Sequence, residues 1–150
     1  MPVKPIPEGY SAVTPILMAN DGDALVEFMK RAFDAKEHQV TRRADGKIVH
    51  ADVTIAGAHI MVTESTEQPG AAGAAVNLYV PDTDATYRRA LAAGATSIMA
   101  PSDRFYGDRN AVVKDGCGIL WSLATHIEDV PPEELKRREA EAVKRMAEET

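Results

Sequence analysis

Positions 11–18 run Ser-Ala-Val-Thr-Pro-Ile-Leu-Met, a β-branched and apolar stretch that predicts a strand. Pro15 in its middle removes a ladder donor and points to an edge strand or a bulge. Asn20-Asp21-Gly22-Asp23 then offers helix N-caps. Apolar residues follow at Ala24, Leu25, Phe28, Met29, Ala32 and Phe33, and this spacing predicts an amphipathic helix over 22–33. Three strand patterns come next, at 38–43, 47–56 and 59–64. Asp45-Gly46 is a hairpin signal between the first two, and Gly57-Ala58 is a turn between the last two. The first half therefore reads β-α-β-β-β.

Positions 65–74 are small, glycine-rich and without periodicity, as a linker is. The pattern then restarts. A strand is predicted over 75–80, and Asp82 or Thr83 caps a helix over 83–93. Gly94 sits where a left-handed glycine ends a helix. Further strands are predicted over 95–99, 110–114 and 119–125, with Gly116 and Gly118 turning the chain before the last. The halves superpose at an offset of about 60 positions, which brings Asp23-Ala24 onto Asp84-Ala85. Internal repetition implies two similar units packed together: module one over 10–64, the linker, and module two over 75–127 in one 1–150 domain. A helix over 131–148 closes the chain. Prolines open it, glutamates follow at the positive end of its dipole, and Leu135, Ala142, Val143 and Met146 give it a thin apolar stripe.

Composition narrows the function more than the fold. Of 150 residues, 45% are hydrophobic and 27% charged, as in an ordinary globular protein. The net charge of −6 and pI near 5.2 argue against nonspecific binding to nucleic acid or to an anionic membrane. The single cysteine, Cys117, excludes an intrachain disulfide. Weighed as a nucleophile, it fits better as a small residue in a turn between two glycines. Residues 1–10 hold three prolines and no apolar core of a signal peptide, so a cytoplasmic location is expected. No apolar run approaches the roughly 20 residues of a membrane helix.

Several segments carry a resemblance. They are Val3-Lys4-Pro5-Ile6-Pro7-Glu8-Gly9-Tyr10, positions 28–33, and Asp45-Gly46-Lys47-Ile48-Val49-His50-Ala51. The two most specific are Phe105-Tyr106-Gly107-Asp108-Arg109 and the run from Trp121 through His126 to Val130. Over nearly all of 3–133 the chain resembles the PhnB-like branch of the glyoxalase/bleomycin-resistance/dioxygenase (vicinal oxygen chelate) superfamily. The resemblance implies an α+β fold of two βαβββ modules whose curved half-sheets enclose a ligand cup, and a homodimer. It departs in the turn before the last strand. Relatives there show Asp-Pro-Phe-Gly-His or similar, and this chain has Asp115-Gly116-Cys117-Gly118-Ile119, so no role is carried over for the lost histidine.

Metal-using members place one His, Glu or Gln on the first and last strand of each module. Alignment by helix starts and turns puts Thr14, Met61, Ala75 and Ser122 at those four positions, and none is a credible ligand. A one-residue slip gives Pro15, Val62, Val76 and Leu123 and flips each strand face. No metal and no cofactor are therefore expected. A displaced metal site drawing on His50, Asp52 and His59 stays open as an alternative.

By strand alternation, the cup-facing sets are Thr14, Ile16 and Met18, then His59, Met61 and Thr63. Module two adds Ala75, Asn77 and Tyr79, then Leu120, Ser122 and Ala124. Trp121 has the opposite parity and is assigned to the core. Phe105, Tyr106 and Arg109 form a loop in which Arg104 and Arg109 either bind an anionic group or pair with Asp108. Ligand-binding candidates are thus Thr14, Ile16, His50, His59, Met61, Thr63, Asn77, Tyr79, Phe105, Tyr106, Arg109 and Ser122. No nucleophile elbow, phosphate loop or dinucleotide fingerprint is present. The expected function is metal-independent binding or sequestration of a small organic molecule. The alternatives are a lyase or dioxygenase-like enzyme with the displaced metal, and metal-free acid–base catalysis by Tyr106 or His50.

Overall fold

The computed structural model describes residues 5–6, 8–64 and 74–149. Module one contains β1 (Ile16–Ala19), α1 (Gly22–Phe33), β2 (Lys36–Arg42), β3 (Ile48–Ile55) and β4 (Ala58–Glu64). Module two contains β5 (Ala75–Tyr79), α2 (Thr83–Ala92), β6 (Thr96–Asp103), β7 (Asp108–Lys114) and β8 (Leu120–His126). The chain ends in α3 (Pro132–Glu148). Each module forms one four-stranded mixed sheet, in the order β1-β4-β3-β2 or β5-β8-β7-β6. In both, the first strand runs parallel to the last, and the other pairs are antiparallel. This is the expected α+β fold, C-terminal helix included. Positions 65–73 of the expected linker lie outside the described residues.

Local chemistry accounts for the element ends. Asp21 caps α1 by accepting from Ala24 N at 3.0 Å, and Asp82 caps α2 from Ala85 N at the same distance. Pro15 stands just before β1 rather than inside it, and its carbonyl accepts Met61 N at 2.9 Å. The strand is thus shorter than the 11–18 expected, because the proline can accept but not donate. The β3–β4 turn uses Ala56 and Gly57, both at positive φ (49° and 84°), as a two-residue mirror-image turn requires. It sits one residue earlier than the Gly57-Ala58 read from sequence. Strand β6 runs on to Asp103 through Pro101, and shifts in its pairing with β7 accommodate the proline.

A single buried cluster joins the helix-facing sides of both sheets. It includes Leu17, Val53 and Val62 from module one, Val113, Trp121 and Leu123 from module two, and the inner face of α1. Trp121 is fully buried, as its strand parity predicts. Its ring lies 4.8 Å from Phe33 and 6.4 Å from Phe28, so an α1 aromatic pair from module one packs on a β8 residue of module two. Such contacts contribute about 0.5–1.5 kcal/mol each beyond the buried area. The indole N–H donates to Asp115 at 2.8 Å. Asp115 also accepts from Cys117 N (2.8 Å) and Ile119 N (3.0 Å), so one buried carboxylate holds the turn before β8.

With both helix faces turned into this shared core, the opposite faces of the two sheets stay open. Ile16 and Met18 on β1 are 60% and 50% exposed, and Tyr79 on β5 is 59% exposed. The cup faces of the two modules do not close on each other within one chain. Helix α3 has no buried residue. It is tied down by Arg138, which donates to both carboxylate oxygens of Glu128 (2.9 and 3.0 Å) and to the Phe105 carbonyl (3.2 Å).

Candidate functional site

On module one the open face is built by alternation. Ile60 and Val62 of β4 are buried toward the helix, which puts His59, Met61 and Thr63 on the other side. On β3, Ala51, Val53 and Ile55 are buried, which gives Asp52 and Thr54 to the cup face. A pairing irregularity between β2 and β3 beside His50 breaks the alternation, so that Ile48 also packs inward against Gly22.

Three side chains converge there. Asp52, only 6% exposed, accepts a hydrogen bond from the Tyr10 hydroxyl on one carboxylate oxygen. On the other it pairs with His59 Nδ1 at 2.8 Å. The Tyr10 and His59 rings stack at 3.7 Å with 14° between their planes. Burial of Asp52 favours the neutral acid, but the hydrogen bonds from Tyr10 and His59 and the nearby imidazoles outweigh it and hold the carboxyl below its ordinary range. An ionised carboxylate only accepts, so Nδ1 of His59 carries the proton. The same bond pushes the Tyr10 phenol above its usual value. His38 adds a third ring, 5.6 Å from His59, with its Nε2 bonded to Thr54 Oγ1 at 2.8 Å. Beside the cluster opens a cavity of about 540 Å³ lined by Pro5, Ile6, Tyr10, Ser11, Ala12, Thr14 and Met61.

Module two carries a comparable set at non-equivalent positions. Tyr79 donates to Asp108 at 2.8 Å, and His126 Nδ1 meets the other Asp108 oxygen at 2.8 Å. Here Nε2 is also engaged, by Asp129 at 2.7 Å. With a carboxylate on each nitrogen, first Asp129 and then Asp108, the His126 pKa is raised. Nearby, Asn110 donates to Ser122 Oγ at 2.7 Å.

The other candidates scatter. Thr14, Ile16, Met61 and Thr63 share module one's open face, and Asn77, Tyr79 and Ser122 share module two's. Ala124 has the cup parity but is only 1% exposed. His50 makes no side-chain hydrogen bond among the described residues and stays outside the Tyr10–Asp52–His59 cluster. Among the described residues, three ligand-type side chains come within metal-binding reach of one another only at Asp21, Asp23 and Glu64, at the mouth of α1. All three are already engaged: Asp23 by Arg42, Asp21 as the α1 cap, and Glu64 by the Gly22 N–H at 2.9 Å. Arg109 points to the helix side, where Asp84 (2.6 and 2.9 Å) and Asp103 (2.9 Å) take its guanidinium. The Asp108–Arg pair weighed from sequence does not form, because Asp108 faces the opposite side of β7. Phe105 lines a cavity beneath α3 with Arg104, Ala142, Arg145 and Met146, and Tyr106 packs edge-on against it at 5.3 Å. Cys117 lies in the Asp115 turn, and burial, then the Asp115 charge, raises its pKa.

The paired βαβββ sheets agree with sequence comparison. The sequence profile of the Glyoxalase/Bleomycin resistance protein/Dioxygenase superfamily matches residues 12–123. The chain belongs to this superfamily. An uncharacterized protein of Mycobacterium bovis is 34% identical over 136 residues, covering 83% of this chain and 90% of its own. The crystal structure of TioX from Micromonospora sp. ML1 is similar with a TM-score of 0.67 and 29% identity, over 78% of this chain and 99% of that one. A glyoxalase/bleomycin resistance protein/dioxygenase family enzyme from Burkholderia phytofirmans aligns with a TM-score of 0.61 and 18% identity, over 76% and 97%, a likeness of fold.

The residues that the sequence alignment puts at the superfamily's metal positions do not fit a divalent ion. Ala75 has no donor atom, Met61 offers a thioether, and the Ser122 hydroxyl is engaged by Asn110. Thr14 alone leaves an oxygen, too little to hold an ion.

Proposed function

We propose that this protein binds a small organic molecule in a metal-independent cup, as a member of the PhnB-like branch. The observation that carries the reading is the pair of open sheet faces, whose superfamily ligand positions hold Thr14, Met61, Ala75 and Ser122. They present exposed apolar side chains (Ile16, Met18, Tyr79) around a few fixed polar groups (Asp52, His59, Asn110), the composition of small-molecule sites. The two faces are turned apart in one chain, which supports a homodimer in which module one of one protomer meets module two of the other. The acidic surface and the absence, among the described residues, of a helix long and apolar enough to cross a membrane fit a ligand that is neither nucleic acid nor lipid bilayer. The single cysteine favours a cytoplasmic location.

Elemental mass spectrometry on untagged protein tests the metal-independent part. We expect less than about 0.1 equivalent of any transition metal per protomer, unchanged after reconstitution with Zn, Ni, Fe or Mn. Near one equivalent overturns the reading. A thermal-shift screen of small molecules in chelator then tests binding, since a ligand at about 100 times its Kd adds about 2.7 kcal/mol of stability.

A further inference from the structure

The Tyr10–Asp52–His59 cluster is more elaborate than a binding wall requires. Its counterpart in module two shows what a closed arrangement looks like: both nitrogens of His126 are tied to carboxylates, by Asp108 and by Asp129. His59 is held as firmly on one side, by Asp52 at Nδ1 and by the stacked Tyr10 ring, yet its Nε2 has no hydrogen bond among the described residues. Because Asp52 accepts the Nδ1 proton, the lone pair of the ring lies on Nε2. The nearby cavity is lined by Tyr10, whose ring stacks on His59, and by Met61, two residues along the same face of β4.

We propose that module one's cup face is a metal-independent proton-transfer site, in which His59 Nε2 takes a proton from a small neutral carbon or hydroxyl acid lying against Thr14 and Met61. The proposal rests on the reading of this face as a ligand site and adds an activity to it. In the step, the Nε2 lone pair forms the new N–H bond, and the substrate atom keeps the pair of the broken X–H bond. The imidazolium that results lies against the Asp52 carboxylate, which offsets its charge. Return of the proton to the same or a neighbouring substrate atom restores the free base. Asp52 is a positioning residue: it sets tautomer and ring angle and does not take the proton. The groups that face His59 are Asp52 from β3, His38 from β2 and Tyr10 from the lead-in.

The probe is 5-nitrobenzisoxazole, whose ring opening reports a positioned base. Nε2 removes the ring C–H proton, that C–H pair completes the nitrile, and the N–O bond breaks to release a coloured phenolate. Saturable turnover is expected, with kcat about 100-fold lower in His59→Gln at little change in KM. Asp52→Asn is expected to lower kcat less, at little change in KM, because the ring loses the carboxylate that sets its tautomer and angle. Asp52→Glu should restore part of the rate. Equal kcat in wild type and His59→Gln at a shared KM overturns the proposal and leaves the binding reading standing. Absence of saturation in wild type overturns the proposal, and a thermal-shift screen without hits then separately removes the binding reading. Should His59→Gln not fold, ethoxyformylation of the wild type with peptide mapping decides the matter. Loss of turnover in step with His59 modification supports the proposal, and loss while His59 stays unmodified overturns it.

Discussion

The buried carboxylate of Asp115 shows how one side chain holds several donors at once. It receives the Trp121 indole and two backbone N–H groups, and it is 6% exposed. Asp115→Ala strands those donors in the core, and each unsatisfied group costs about 1–3 kcal/mol. A stability loss of about 2–4 kcal/mol is expected by urea denaturation, with Trp121 fluorescence reporting the looser turn. His126 carries the pH dependence. Its folded pKa is raised, first by Asp129 and then by Asp108. Its contribution is therefore complete below the ordinary imidazole pKa of about 6.5 and lost as pH rises through the raised value. The Tm difference between wild type and His126→Gln should shrink across that window, and NMR titration of the ring should give its upper bound. Among these residues, Trp121 was legible from sequence because strand parity assigns a face. His126 and Asp108 were not singled out as partners, since 18 positions separate them and only the antiparallel β7–β8 register sets them side by side.

Turns and caps decide the elements. Asp21, Asp82, Gly46, Gly57 and Gly94 were readable in advance because each answers a local backbone demand: an orphan helix N–H or a positive φ. Ala56 answers that demand poorly. At φ 49° it occupies the left-handed region that asparagine and glycine tolerate. Its side chain is exposed, so Ala56→Asn should raise stability by about 0.5–1 kcal/mol, measured as a higher urea midpoint at unchanged slope. At the other end of the chain, Arg138 and the Glu128 carboxylate explain where α3 docks, which the thin apolar stripe of Leu135, Ala142, Val143 and Met146 did not indicate. Within the Phe105–Arg109 segment, Phe105 belongs to that docking and Arg109 to the α2 side of the sheet, while Asp108 faces module two's open side, where Tyr79 donates to it.

At the scale of the molecule, the proposed homodimer rests on the shared core and the outward cup faces. Sedimentation velocity is expected to give a dimer. Met18 is half exposed in one chain, so Met18→Asp costs the isolated fold little, and it should convert the dimer to a monomer with unchanged far-ultraviolet circular dichroism. A dimer that survives both Met18→Asp and Ile16→Asp would remove the cup-pairing arrangement. By itself the sequence determined the order of elements, the twofold repetition and the inward parity of Trp121, because each of these depends on residue type and short-range spacing. Only the tertiary structure decided which way the modules turn, since one apolar face can pack on its own helix or on the other module with the same periodicity. Only the tertiary structure, too, brought Tyr10 from the lead-in onto Asp52 and His59. That contact spans 42 residues, its energy depends on burial and angle, and no local pattern encodes either.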